Sequence, residues 1–155
     1  LLRAPKSPGK TADVGRRHEV TYALFPHGGD FRNGVVRAAY ELNVPVAAVA
    51  VPARDGRLPP RLSRFGIDGD GVVLEAVKKA EDDDSLILRL YEAHGGRGRR
   101  TLRTSLPVSG VFETDLLERD IGKAAVKDGC IEFEIGPFEI KTFRLRLGKS
   151  AEAAR

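Results

Sequence analysis

The sequence predicts an all-β protein, an immunoglobulin-like β-sandwich preceded by an N-terminal extension that carries one strand and a short helix. Three observations carry this expectation. Short apolar runs recur at 62–68, 72–80, 86–93, 99–105, 110–117, 130–135 and 139–147. Gly-rich or charged turns part most of them, which is sandwich spacing. Ile131, Phe133 and Ile135 alternate with Glu132 and Glu134, so the three apolar side chains should share one buried face. Finally, residues 72–96 place two apolar arms around Glu81-Asp82-Asp83-Asp84, a hairpin with carboxylates at its solvated tip.

The elements follow in order. Residues 1–15 carry Pro5, Pro8, Gly9 and Gly15 and read as a loop or arm. From His18, the residues Val20, Tyr22 and Leu24 alternate with Glu19, Thr21 and Ala23, a strand signal that stops at Phe25-Pro26. Asn33 is placed to cap a short helix through Val35, Val36, Ala39, Tyr40 and Leu42, with Asn43 closing it. Residues 44–51 are apolar but bracketed by Pro45 and Pro52, so an edge or extended segment is expected. The expected division is 1–52, a linker at 53–60, a sandwich at 61–148 and a disordered tail at 149–155. Within the sandwich, 72–80 also fits a helix through Val73, Val77 and Ala80. In the last strand Phe138 and Ile140 have one parity, and Phe143, Leu145 and Leu147 the other. A bulge near Thr142 would turn both sets inward.

Composition narrows the function. Among 155 residues, 41% are apolar and 31% charged, the balance of a globular domain. The formal charge is +4, and the one dense basic cluster, Arg97, Arg99, Arg100 and Arg103, is broken by Gly98. A nucleic-acid binder shows a continuous basic face with stacking aromatics, so no nucleic-acid partner is expected and the cluster reads as a solvated arginine-rich turn. No apolar run is long enough for a membrane helix, so no membrane partner is expected. Cys130 is the only cysteine, which rules out an internal disulfide and points to a reducing compartment, the cytoplasm. Cys130 itself reads as a small buried residue. The chain contains no Met, and Leu1-Leu2-Arg3 reads as mid-sequence, so a piece of a longer polypeptide is expected.

Chemical motifs are sparse. His18, His27 and His94 lack partners at close zinc spacing, apart from His27 and Asp30. Asp68-Gly69-Asp70-Gly71 and Asp82-Asp83-Asp84 resemble parts of calcium loops but read more simply as tight turns. Glycoside hydrolysis needs two carboxylates across a sugar. Glu75, Glu92, Glu113, Asp115, Glu118 and Asp120 are available, with nothing in the sequence to pair them. The serines lack a nucleophile-elbow context, and the glycine clusters at 66–69 and 95–98 lack a Walker lysine.

The segment VVLEAVKKAEDDDSLILRLYEAHGG at 72–96, together with LLRAPKSP and RRHEVTYALFPHGGDF upstream and FEIGPFEIKTFRLRL downstream, resembles the C-terminal β-region of glycoside hydrolase family 38, the α-mannosidases. The resemblance implies that 1–52 end the family's large β-sandwich region and 61–148 form its terminal β-domain. It implies a parent that hydrolyses α-mannosides with retention, through a carboxylate nucleophile and a zinc ion in an upstream catalytic domain. No block here matches those motifs, so no catalytic or metal role passes to this chain, and no cofactor is expected in it. The implied job is to support the catalytic domain and shape the substrate cleft. The expected partners are that domain and a mannose-containing saccharide, with self-association through unpaired edges in 1–50. Two other readings remain: a stand-alone carbohydrate-binding sandwich, and a structural or oligomerisation module. Sugars favour planar polar groups beside an aromatic ring. Candidate carbohydrate-facing residues are therefore His27, Asp30 and Phe31 on a glycine-flexed turn, and Arg89, Tyr91 and Glu92 on a strand. A cross-strand Arg89–Glu92 ion pair is the plainer reading of those two.

Overall fold

The computed structural model describes residues 17, 19–53, 55–56 and 59–148. Among these residues one helix, α1 (Val35–Asn43), precedes nine strands: β1 (Phe65–Ile67), β2 (Val72–Lys79), β3 (Leu86–Glu92), β4 (Gly98–Thr104), β5 (Val108–Thr114), β6 (Asp120–Ala124), β7 (Val126–Lys127), β8 (Cys130–Ile135) and β9 (Ile140–Leu147). They form two antiparallel sheets, one ordered β1-β4-β8-β7 and the other β2-β3-β9-β5-β6. The expected β-sandwich with a short preceding helix is thus the observed architecture.

The core lies between the sheets. Leu102, Ile131, Phe133 and Ile135 from the four-stranded sheet meet Leu88, Leu90, Val111, Phe143 and Leu145 from the five-stranded one. Phe133 and Phe143 close the gap edge to face, with centroids 5.3 Å apart. Each such side chain contributes about 1.5–3 kcal/mol on full burial. The hairpin of β2 and β3 forms as expected, in register from Val72 opposite Glu92 to Lys79 opposite Leu86, so 72–80 is strand rather than helix. One residue, Glu75, is extra in that ladder. A bulge of this kind re-aims its side chain, and Glu75 accepts a hydrogen bond from the Tyr40 hydroxyl of α1.

The hairpin tip is more than a solvated acidic turn. Lys78 and Lys79 pair with Glu81 and Asp84. Asp83 accepts the Ser85 amide at 2.8 Å and reaches the buried Arg144 at 3.2 Å. Arg144 also pairs with Asp120 at 3.1 Å and donates to the Glu118 carbonyl. Lys78 meets the Glu118 carboxylate at 2.7 Å. These contacts tie the β2–β3 tip to the β5–β6 turn.

Several expectations are corrected. Residues 19–25 form no strand, and Tyr22 and Leu24 are each 91% exposed. Alternation sets up a strand only where a partner supplies the ladder bonds, and none does among the described residues. His18 lies outside them, as do the 1–15 arm, the 149–155 tail and parts of the 53–60 linker. Residues 44–51 form no strand and are exposed. The helix begins after Gly34, at φ 86 with no side-chain cap, whereas Asn33 turns back to donate to the Gly28 carbonyl at 2.7 Å. No bulge interrupts β9 opposite β3; the irregularity falls instead on β5, between Val108 and Gly110. Phe143 and Leu145 are buried, whereas Ile140 and Leu147 at the two ends of β9 are exposed, as is Phe138 in the turn before the strand. Arg99, Arg100 and Arg103 lie on β4, so the basic cluster is mostly strand. Cys130 opens β8 half-buried.

Candidate functional site: a cleft at the loop end of the sandwich

Strand parity decides what each end residue does. Leu88, Leu90 and Glu92 share the inward face of β3, while Arg89 and Tyr91 point to the outer one. Glu92 therefore ends a core row, and it is only 2% exposed. Its carboxylate accepts the amides of His94 at 3.0 Å, Gly95 at 2.7 Å and Phe138 at 3.0 Å. Burial alone would raise the Glu92 carboxyl. The N–H groups of Phe138, Gly96, His94 and Gly95 outweigh it and hold the group below its ordinary 4.5. One buried anion thus braces both the loop after β3 and the turn before β9.

The β1–β2 turn completes this end. Gly71 has φ 89, and a Cβ there would lie 3.0 Å from the His94 imidazole. Its carbonyl accepts the Ala93 amide at 2.6 Å. Only glycine combines that backbone with that close approach. The helix side closes on the same loop. Arg32 donates to the His94 carbonyl at 2.8 Å, and Phe31 meets the His94 ring edge-on with centroids 6.4 Å apart. Tyr40 lies 3.2 Å from the Tyr91 hydroxyl. Burial, then the Glu75 charge, raise the Tyr91 phenol above its ordinary 10.0. Between these parts lies a cleft of about 730 Å³, with Arg32, Arg37, Tyr40, Asp70 and His94 among its polar lining.

The two candidate sets fare differently. Phe31 and Tyr91 come to this region, Phe31 through His94 and Tyr91 through Tyr40. His27 and Asp30 make local contacts, to the Gly28 carbonyl at 3.3 Å and the Arg32 amide at 2.9 Å. Arg89 leaves the set, donating to the Leu116 carbonyl at 3.1 Å and to Thr142 at 3.4 Å. Arg89 and Glu92 lie on opposite faces and form no pair. Glu92 has its acceptor positions filled by the loops it holds, so it supports the site rather than facing it. Arg32, Asp70 and His94 were missed as a group; they come from three segments, and only the long-range fold joins them. Among the described residues, no three His, Cys, Asp or Glu side chains gather as metal ligands.

Helix α1 and its preceding turn, set against the loop end of a two-sheet antiparallel sandwich, define a β-sandwich module with a strapped cleft. Comparison with known proteins gives the family. Residues 71–143 match the "Glycosyl hydrolases family 38 C-terminal beta sandwich domain", and the sandwich belongs to that family. It is 45% identical over 153 residues to Alpha-mannosidase 2C1 of Homo sapiens, covering 95% of this chain and 14% of that protein. Against Alpha-mannosidase 2C1 of Mus musculus the identity is 46% over 154 residues, with the same coverage. Alpha-mannosidase of Saccharomyces cerevisiae is 31% identical over 173 residues, 94% of this chain and 15% of that one. The chain thus spans about a seventh of the length of these relatives.

Proposed function

We propose that the chain is the non-catalytic C-terminal portion of an α-mannosidase, supporting an upstream catalytic domain and shaping its substrate cleft. The carrying observation is that a seventh of each mannosidase's length aligns with nearly all of this chain, whose residues 65–147 form the sandwich. In this reading the parent cleaves α-mannosidic bonds with retention, its zinc held upstream, in the cytoplasm. Residues 1–52 end a larger β-region, then a linker at 53–60 leads into the sandwich. Val20, Tyr22, Leu24, Val46, Val49 and Val51 are all exposed. So long an apolar display fits a surface covered by neighbouring domains, or by a second copy of the chain. The cleft beside His94 lines the saccharide path, with Phe31 and the polar groups of Arg32 and Asp70 suited to ring faces and hydroxyls.

The test is complementation. The upstream part of the gene product, expressed without residues 17–148, should be insoluble or inactive toward p-nitrophenyl α-mannoside. Co-expression of this chain should restore activity. Full activity of the upstream part alone would refute the supporting role.

A further inference from the structure

We propose that Phe138 is a saccharide-contacting residue, an aromatic platform held beside the cleft by Glu92, on which the C–H face of a pyranose ring stacks. The proposal rests on the reading that this end of the sandwich faces a saccharide.

Among the described residues, three non-glycine residues have positive φ: Glu118, Asp128 and Phe138. Two have local reasons. Asp128 precedes Gly129 in the tight turn between β7 and β8, where Asp tolerates the left-handed region. Glu118 lies in the turn whose carboxylate meets Lys78 at 2.7 Å. Phe138, at φ 55, is a bulky aromatic in a conformation such residues rarely adopt, yet the residue is 64% exposed. The strain therefore brings little burial in return. A bulky residue kept at a strained, exposed position points to a contact outside the fold.

The surroundings say what contact. The ring rests on Gly95, where a Cβ would come within 3.0 Å of it. Gly95 has φ 74, so that position favours glycine both for its backbone and for the space above it. Glu92 accepts the amides of both Gly95 and Phe138, which fixes platform and support together. His94, the next residue back, lines the cleft with Arg32 and Asp70. An exposed aromatic ring packed on the loop that carries His94, whose cleft also holds a guanidinium and a carboxylate, suits a sugar, whose C–H face stacks while its hydroxyls need planar donors and acceptors. Ile140 is also exposed nearby, so a protein contact through the two is the competing outcome.

The experiment titrates mannotriose into the full-length gene product by calorimetry, comparing wild type with Phe138→Gly and Phe138→Trp. Glycine removes the ring and the strain together, so this variant should fold and melt no lower than wild type. The expected result is mannotriose affinity about tenfold weaker for Phe138→Gly, the size of one good stacking contact, and restored to within about twofold by Phe138→Trp. Unchanged affinity in Phe138→Gly, with p-nitrophenyl α-mannoside still cleaved, would overturn the platform and leave the mannosidase reading standing. Loss of subunit or domain association with unchanged affinity would overturn it in favour of a protein contact. A wild-type protein that neither binds mannotriose nor cleaves the mannoside would remove both.

Discussion

Replacing Glu92 with Ala should be among the most damaging single changes outside the apolar core. The side chain is 2% exposed and accepts three direct amide bonds, from His94, Gly95 and Phe138. Each buried donor left without an acceptor costs about 1–3 kcal/mol. Water entering the vacated space recovers part of that, so a net loss of about 3 kcal/mol is expected against a total near 5–15 kcal/mol. For a sandwich of roughly 60–100 residues, that lowers Tm by roughly 12–24 °C. Glu92→Gln keeps one carbonyl oxygen but turns an NH2 toward an amide, and should cost about 2 kcal/mol. The assay is thermal unfolding of the 155-residue chain, with hydrogen exchange at the Gly95 and Phe138 amides. The carboxyl is held below its ordinary 4.5 in the folded state, so the unfolded state binds the extra proton first. The stabilisation is complete above pH 4.5 and fades as pH falls through the lowered value, so wild type and Glu92→Gln should converge in acid. A Glu92→Ala melting point within 2 °C of wild type at pH 7, about the shift from half a kcal/mol, would refute the bracing role.

Four other changes probe different parts of the account. Gly71→Ala meets both a φ of 89 and the His94 ring; it should cost about 1–3 kcal/mol and shift the His94 ring resonances, read by melting and NMR. Arg144→Ala strands Asp83 and Asp120 beside a buried site and should cost about 3–5 kcal/mol, seen in urea unfolding. Leu90→Ala, in the sealed core, should cost about 2–5 kcal/mol with the denaturant slope unchanged. Tyr40→Phe removes the hydroxyl that meets Glu75 and Tyr91. It should leave the sandwich melt almost unchanged while raising hydrogen exchange through α1.

Local pattern carried most of the sandwich. The arms of β2 and β3 and the Ile131, Phe133, Ile135 row are readable because side chains alternate and one face must be dry. The strands β6 and β7 escaped because Asp120–Ala124 is an exposed edge and Val126–Lys127 is two residues long, leaving no periodicity to read. The strand expected from 18 to 24 had the pattern without a partner. Glu92 was the avoidable miss. Leu88 and Leu90 fix the inward parity of β3, and counting two further places Glu92 on the core side, away from Arg89 and Tyr91. The cleft itself was not legible, since Arg32, Asp70 and His94 meet only through packing between distant segments.

The most direct measurement is hydrolysis of p-nitrophenyl α-mannoside by this chain alone, with and without zinc, beside the full-length product of the same gene. An active full-length protein and a silent chain are the predicted result. Turnover by the chain alone would contradict the account and return attention to the carboxylates of the sandwich.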